Sequence, residues 1–335
     1  MRTPFMNVRW RWSIVLLALI LGLMTSCSSD SEDDEMGDWV KKSEFAGVAR
    51  SGSVSFVIND IAYVGTGYDG KNRLTDFWKY DATKDAWTKV AEFPGVARSA
   101  AVSFTANGKG YVGTGYDGLN YLKDFWEYDP TTNTWSQIAD FPGSARYGAF
   151  ALSLLNKGYV GAGYDGNYQK DFYQYDPQTN HWEEKVGLGG AKRLNAYAFA
   201  VDDKGYVGGG INSGIYETDF IKYDPTSDTW TRLKSFNSTD RENEDYPTSR
   251  GAAVTFTING YAYLCTGTTG SVQSEVWRYF PSSDTWEKFS AFDGSAREAA
   301  VGFAIGGYGY ITTGNSGSYR FDDLWQFDPT IVNAD

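Results

Sequence analysis

Residues 93–104 read FPGVARSAAVSF, residues 108–118 read GKGYVGTGYDG and residues 124–130 read DFWEYDP, before Trp135 ends the unit. Similar phrases return around six tryptophans, spaced 48, 48, 47, 48 and 56 residues apart: Trp39, Trp87, Trp135, Trp182, Trp230 and Trp286. A period near 48 residues indicates one small structural unit copied about six times. Most of the repeated residues are therefore expected to serve packing.

Each unit holds four short runs rich in aromatic and β-branched residues, separated by turn signals. In the second unit the predicted strands are residues 99–105, 109–114, 124–129 and 134–138. The repeat region has no sustained helical periodicity. A four-stranded antiparallel sheet buries its Trp-bearing face only by stacking against neighbouring sheets. The sequence therefore predicts an all-β fold, a β-propeller with six blades of four antiparallel strands.

The repeats resemble the kelch motif over about residues 38–335. That motif has an Arg before the first strand, a Tyr and a Gly pair in the second, Tyr-Asp-Pro after the third and Trp in the fourth. The arginines are Arg50, Arg98, Arg146, Arg193, Arg250 and Arg297, and the tyrosines are Tyr63, Tyr111, Tyr159, Tyr206, Tyr263 and Tyr310. The first glycine of the pair is Thr or Ala in five copies, but the second is always present. We therefore predict that only the second position needs a positive φ or close backbone approach.

The two ends of the repeat region complement each other. The last copy stops at Phe327-Asp328-Pro329 plus six residues, without a Trp strand, and a spare Trp strand at residues 38–42 precedes the first copy. The sequence therefore predicts a propeller domain over residues 38–335, whose N-terminal strand closes the last blade.

Residues 1–26 have the organisation of a signal peptide, with Arg2, Arg9 and Arg11 before an apolar run at residues 14–24. That run is too short for a helix that spans a bilayer of about 30 Å. It ends at Met24-Thr25-Ser26-Cys27, which resembles a bacterial lipoprotein signal in which the cysteine is lipidated. The alternative is an ordinary secretory signal with an incidental cysteine.

Residues 27–37 are predicted to be an acidic, flexible tether, since six of residues 28–38 are acidic. An acidic run behind a lipidated cysteine resembles the surface-export signal of Bacteroidetes-type lipoproteins; the alternative is a plain spacer. We therefore expect a monomeric propeller on the cell envelope, held by lipid at Cys27, in the outer membrane and exposed at the cell surface or facing the periplasm.

Charge and composition exclude several function classes. The net charge is −12, and without the first 26 residues 27 basic side chains face 42 acidic ones, so nucleic acid is not an expected partner. The single histidine, His181, is expected in an exposed turn, which argues against His-based catalysis or a metal site. No cofactor is expected. Cys265 lies in a predicted second strand and is expected to be a small buried hydrophobe.

One face of the propeller carries the candidate site. The segments that lead into the first strands and the loops between second and third strands share a face, which places the six arginines with three Gly-Tyr-Asp-Gly loops. The candidate ligand-binding residues are Arg50, Arg98, Arg146, Arg193, Arg250, Arg297, Tyr68, Asp69, Tyr116, Asp117, Tyr164 and Asp165. Guanidiniums would bind carboxylates or acidic sugars, and Tyr with Asp suits a glycan.

Each of these readings has a structural alternative. The arginines would instead pair with carboxylates or carbonyls and staple adjacent blades, with Asp69, Asp117, Asp165 and Glu298 as the expected neutralisers. The three similar loops would reflect recent repeat duplication. The long segment 235–250 before the first strand of blade 5 is a candidate lid or contact loop, or else a tolerated insertion.

An enzyme function is the third possibility. Galactose oxidase shares the kelch-type propeller, but the residues of its copper site are lacking. Bacterial N-acetylneuraminate epimerases, which are sugar mutarotases, are also six-bladed kelch propellers. This chain is similar to them in size, blade number and Arg-bearing face, but no catalytic motif of that family aligns with it. Ring opening at an anomeric carbon needs a carboxylate base near the bound sugar, so Glu298, next to Arg297, is the candidate base, with Asp117 second. The expected function is thus binding of a glycan or an envelope protein, with a mutarotase or epimerase as the alternative.

Overall fold

The computed structural model describes residues 35–234 and 250–333, which form β-strands joined by turns and loops. Across these two ranges no helix is long and apolar enough to cross a membrane. The strands build six four-stranded antiparallel sheets. The predicted six-bladed propeller is confirmed.

Each blade has the same strand order, from the channel outward. The innermost strands are Val54–Ile58, Val102–Ala106, Phe150–Leu154, Tyr197–Val201, Val254–Ile258 and Val301–Ile305. The second strands are Ile61–Gly65, Lys109–Gly113, Lys157–Gly161, Lys204–Gly208, Tyr261–Cys265 and Tyr308–Thr312. The third strands are Phe77–Asp81, Phe125–Asp129, Phe172–Asp176, Phe220–Asp224, Val276–Phe280 and Leu324–Asn333. The outermost strands are Ala86–Lys89, Thr134–Gln137, His181–Lys185, Thr229–Arg232, Thr285–Phe289 and, for blade 6, Glu35–Lys42.

The N-terminal strand closes the ring as predicted. It pairs antiparallel with Leu324–Asn333, with Trp39 opposite Phe327. The strand begins at Glu35, three residues before the boundary expected at Asp38. A register shift between Met36 and Asp38 accommodates Gly37, whose φ is +91°. The last three residues assigned to the tether therefore belong to the propeller.

The hydrophobic core lies between neighbouring blades, as the repeated tryptophans indicated. Trp182, in the outermost strand of blade 3, packs edge-on against Phe125 of blade 2 with ring centroids 4.9 Å apart. Its indole N–H donates to the carbonyl of Ala139, in the segment between those blades, at 3.0 Å. One Trp per copy therefore ties its blade to the preceding one.

The prediction for the Gly pair is wrong in one respect, because both positions have a positive φ. The first position has φ between 56° and 63° in Thr66, Thr114, Ala162, Gly209, Thr266 and Thr313. This is the left-handed helical region, which L-residues reach at a cost of about 1–2 kcal/mol. The second glycine has φ between 84° and 103°, outside that region, which explains why only glycine stands there.

Two smaller hairpins extend the loops between the second and third strands in blades 4 and 6. They pair Ile211–Asn212 with Ile215–Tyr216 and Asn315–Ser316 with Tyr319–Arg320. Corresponding loops in blades 1 to 3 form isolated bridges between Tyr68 and Arg73, Tyr116 and Tyr121, and Tyr164 and Tyr168.

A closed belt of backbone hydrogen bonds surrounds the channel mouth. Its members stand two residues after each repeated Arg: Gly52, Ala100, Gly148, Asn195, Ala252 and Ala299. Each N–H donates to the carbonyl of the equivalent residue in the preceding blade at 2.8–3.0 Å, and Gly52 closes the circle on Ala299. All six have φ between 49° and 62°. The belt fixes the width of the mouth.

Candidate functional site

The segments that lead into the first strands and the loops between second and third strands do share one end of the propeller. Ser51 pairs with Tyr68, Ser99 with Tyr116 and Tyr147 with Tyr164 through antiparallel bridges. We call this end the loop face. The turns within the strand hairpins lie at the other end, the turn face.

The six repeated arginines are buried beneath the loop face, each with no exposed surface. Each pairs with a carboxylate at the start of the third strand of its own blade: Asp76, Asp124, Asp171, Asp219, Glu275 and Asp323. In blade 2, Arg98 donates to the two carboxylate oxygens of Asp124 at 2.8 and 2.7 Å. It also donates from Nη1 to the carbonyl of Thr114 and from Nε to that of Val96, both at 2.9 Å.

The arginine backbone links adjacent blades. The carbonyl of Arg98 accepts a hydrogen bond from the N–H of Gly67, in blade 1, at 2.8 Å, and the same bond recurs around the ring. The arrangement is that of the stapling alternative. The guanidiniums do not converge at the channel mouth, so the structure does not offer them as the anion site that the sequence suggested.

The neutralising carboxylates also differ from those expected. Burial opposes ionisation of Asp124, but the hydrogen bonds and positive charge of Arg98 outweigh it and hold the pKa of Asp124 below its usual value. Asp76 and Asp124 are thus each held by the arginine of their own blade. Within the described ranges no group of three or more His, Cys, Asp or Glu residues is placed to hold a metal ion.

The aspartates of the Gly-Tyr-Asp-Gly loops stabilise their own turns. Asp117 accepts hydrogen bonds from the N–H groups of Leu119 and Asn120 at 2.7 and 2.6 Å. These bonds lower the pKa of Asp117, with Asn120 the larger contributor. Such a carboxylate is a weak base, which counts against Asp117 as a catalytic residue. Asp69 and Asp165 accept bonds within their loops in the same way.

Tyr68 and Tyr116 belong to a stacked column that joins blades 6, 1 and 2. Their hydroxyls donate to the carbonyls of Gly70 and Gly118 in their own loops. Arg73 lies between the two rings, 5.0 Å from Tyr68 and 4.6 Å from Tyr116. Arg320, at the equivalent position of blade 6, lies 4.8 Å from Tyr68. The ring faces and hydroxyls of Tyr68 and Tyr116 are therefore engaged in contacts within the protein.

The last glycine of these loops makes room for the arginines. At Gly118, whose φ is +106°, an added Cβ would lie 2.5 Å from Nη1 of Arg73. At Gly70 it would lie 2.9 Å from Nη1 of Arg320. Gly166 in blade 3 has nothing within 4 Å, because blade 2 carries Tyr121 where blade 1 has Arg73. The loop of blade 3 is thus the open one of the three.

Five tyrosines of blades 2 and 3 form a continuous, half-buried tyrosine cluster: Tyr116, Tyr121, Tyr147, Tyr164 and Tyr168. Neighbouring ring centroids are 5.1–6.1 Å apart. Burial and then the adjacent tyrosines raise the pKa of Tyr147. The hydroxyl of Tyr116 is bonded to its loop, whereas those of the other four form no hydrogen bond with any described residue. These four hydroxyls are available to a ligand.

The cluster adjoins a cavity at the channel mouth. This mouth cavity has a volume of about 250 Å³, and Gly and Ala residues of all six blades form most of its lining. Ser53, Tyr147 and Asn195 supply its polar side chains. Because Tyr147 belongs to both the cavity and the cluster, the two form one continuous surface, which is the candidate site.

Glu298 also lies on the loop face, half-buried, at the position in blade 6 that Tyr147 occupies in blade 3. Blades 3 and 6 are opposite each other in a six-bladed ring, so Glu298, which directly precedes Ala299 of the cavity lining, stands across the ring from Tyr147. The Nδ2 of Asn315 lies 3.5 Å from Oε1 of Glu298. Glu298 therefore remains a candidate base, unlike Asp117.

Sequence reasoning did not identify Tyr121, Tyr147 and Tyr168, nor Arg73 and Arg320. The signal was present in the repeat itself. Tyr147 stands where the other copies have Ser51, Ser99, Leu194, Gly251 and Glu298. An aromatic residue that no other copy carries at this position marks the candidate site better than residues present in every copy.

The remaining predicted residues are placed as follows. Cys265 has no exposed surface and lies in the core between blades 5 and 6, so the prediction of a buried residue is confirmed. Burial raises the pKa of its thiol well above the usual value. His181 is exposed at the start of the outermost strand of blade 3, on the turn face. Cys27 and the insertion at residues 235–249 lie outside the described residues.

Comparison with known proteins supports the same repeat. Residues 39–193 match the family described as KLHDC2/KLHL20/DRC7 Kelch-repeats domain, and residues 193–237 match the Kelch motif. The curated proteins contain no significant match. Among solved structures, that of YjhT is similar with a TM-score of 0.71 and 19% sequence identity, over 84% of this chain and 95% of that chain. At this identity the likeness concerns the fold.

Proposed function

We propose that this six-bladed β-propeller, whose repeats match kelch models over residues 39–237, is a binding protein that recognises a glycan through the tyrosine cluster and the mouth cavity. The observation that carries the proposal is the group of four unbonded phenol hydroxyls beside a concave mouth. Tyrosines combine an apolar ring edge with a hydroxyl that donates and accepts hydrogen bonds. Sugars present alternating C–H and hydroxyl groups, which this combination matches.

The shape of the site favours a glycan over the other expected partner, an envelope protein. Protein interfaces of standard size bury about 800 Å² on each partner and centre on large anchors that fill pockets. The mouth cavity of about 250 Å³ is instead floored by backbone, alanine and glycine, with few side chains to enclose an anchor. A small polar ring fits such a surface.

The test is ligand-dependent stabilisation of residues 35–335. A saccharide at 100 times its dissociation constant should add about 2.7 kcal/mol to the free energy of unfolding, which raises the melting temperature. Combined replacement of Tyr121, Tyr147 and Tyr164 by alanine should remove that shift. The matched control is Tyr68→Phe, which changes a tyrosine of the same loop face whose hydroxyl is bonded to its own loop. Failure of every saccharide to shift the wild-type melting temperature would contradict the proposal.

Sugar mutarotation is the second candidate, and one observation favours it. Glu298 directly precedes Ala299 of the cavity lining, in the blade opposite that of Tyr147. Ring opening at an anomeric carbon needs a base within hydrogen-bond reach of the sugar. The rate of anomer exchange should be measured for a saccharide that stabilises the protein. Catalysed exchange that Glu298→Gln abolishes would make the site an active site.

We also propose that the protein is anchored to the outer membrane by lipid at Cys27, on the basis of the leader sequence. Seven residues separate Cys27 from the strand that begins at Glu35, so even a fully extended tether spans less than about 30 Å. Glu35 lies at the turn face, the end of the propeller opposite the loop face. Cys27→Ala should move the protein from the membrane fraction to the soluble fraction; retention in the membrane would contradict the anchor.

A further inference from the structure

We infer that the saccharide is uncharged, and that its terminal ring enters the mouth cavity while the following rings lie along the tyrosine cluster. This inference rests on the proposed glycan binding and specifies the chemical class and the orientation of the ligand. It departs from the acidic sugars that six repeated arginines suggest in the sequence.

The repeated arginines offer no counter-ion for an anion in this part of the loop face. Arg98, Arg146 and Arg193, beneath this part of the loop face, are fully buried and paired with carboxylates of their own blades. The nearby Asp117 and Asp165 are negative and held within their loops. A carboxylated or sulfated sugar would meet like charge on a chain whose net charge is already −12.

The cations near the cluster lie outside these pairs. The guanidinium of Arg73 is stacked between the rings of Tyr68 and Tyr116, and Arg73 forms no ion pair within the described residues. Lys123 and Lys170 are exposed, and each stands two residues after a tyrosine of the cluster. These three residues would reveal an acidic ligand, and they serve as the internal test of this inference.

The size of the mouth cavity sets how much of the ligand enters. Pockets that hold drug-sized ligands have volumes of roughly 300 Å³ or more. The mouth cavity, at about 250 Å³, is smaller. Below the mouth, the innermost strands line a second space of about 200 Å³. A single sugar ring fits the mouth, which the backbone belt surrounds.

Tyr147, which lines the cavity, has cluster neighbours on two sides. Tyr116 and Tyr121 lie 5.8 and 5.3 Å from it, toward blade 2, and Tyr164 lies 5.9 Å from it, toward the open loop of blade 3. Tyr168 lies 5.1 Å from Tyr164, farther along that loop, and the hydroxyls of Tyr147, Tyr164 and Tyr168 form no hydrogen bond with a described residue. A linear chain that is held by its end at Tyr147 and extends along the open loop meets Tyr164 and Tyr168 with its next rings.

The experiment uses an array of neutral, carboxylated and sulfated oligosaccharides of one to six rings, followed by titration calorimetry on the strongest binder and its shorter homologues. We expect binders to be neutral, and affinity to rise at least about tenfold from one ring to three and then level off. Tyr147→Ala should weaken all lengths at least about tenfold. Tyr168→Ala should weaken only chains of two or more rings. Tyr216→Ala, at the equivalent loop position of blade 4, is the matched control and should change neither.

The outcomes separate this inference from the proposed function. Binding of acidic sugars that is lost in Arg73→Gln, Lys123→Gln or Lys170→Gln would overturn the inference and keep glycan binding. The proposed orientation would be overturned if saccharides of one ring and of three rings bound with equal affinity. It would also be overturned if Tyr168→Ala weakened the binding of both equally. Absence of any saccharide binding would remove both proposals together.

Discussion

Asp124→Asn should lower the free energy of unfolding by about 3–5 kcal/mol, because it leaves the fully buried guanidinium of Arg98 without its counter-charge. Arg98 bonds the third strand through Asp124, and it also donates to the carbonyl of Thr114, whose strained φ is 57°. Its own carbonyl accepts a backbone hydrogen bond from blade 1. Loss of the Asp124 charge therefore affects all three contacts. The measurement is urea unfolding followed by tryptophan fluorescence, with the midpoint and slope compared between variants.

Asp117→Asn is the matched control, in the same blade and on the same face. Its carboxylate is half-exposed and caps only its own turn, so its loss should cost about 1 kcal/mol or less. Equal destabilisation by the two variants would contradict the assignment of Asp124 as the structural partner of Arg98.

Acid provides a second check on the same pair. The pKa of Asp124 is lowered in the folded protein, so the carboxylate contributes stability above its unfolded pKa of about 3.9, and that contribution is lost as the pH falls through the folded value. The difference in stability between wild type and Asp124→Asn should therefore be largest near neutral pH and should shrink at pH values below about 4. A difference that is constant with pH would mean that the charge of Asp124 is not what stabilises the blade.

The fold was predictable because packing repeats. The Arg, Tyr, Gly and Trp positions align in six copies because every blade makes the same contacts. Counting the Trp strands left one spare, at Trp39, for the last blade, and that strand does close it. The exact start of that strand was not predictable, since Glu35 and Met36 join it through a bulge within an acidic run. Pattern alone does not reveal a bulge.

The site was predictable only in its location. The repeated arginines looked functional because six positive charges on one face suggest an anion site. However, a charge that repeats in every blade can be neutralised by a carboxylate that also repeats in every blade. Asp76 and Asp124 were visible in the sequence at the start of third strands, but 26 residues from their arginines, a separation that only the folded sheet closes. Tyr147 was visible too, as a departure from the repeat. Departures from a packing pattern, rather than its members, mark the candidate site here.

Trp39→Ala should destabilise the protein by about 3–5 kcal/mol and, unlike the loss of other core side chains, should loosen the closure of the ring. Trp39 is 4% exposed, with its ring 4.8 Å from both Phe292 and Phe327, and it fastens the one strand that joins the two ends of the chain. Deletion of residues 35–42 should remove the outer strand of blade 6 altogether and expose the edge of Leu324–Asn333. Thermal unfolding and limited proteolysis within blade 6 measure both effects. Val40→Ala, in the same strand but 50% exposed, is the control and should be nearly neutral; a Trp39→Ala protein as stable as this control would show that closure depends on the backbone ladder alone.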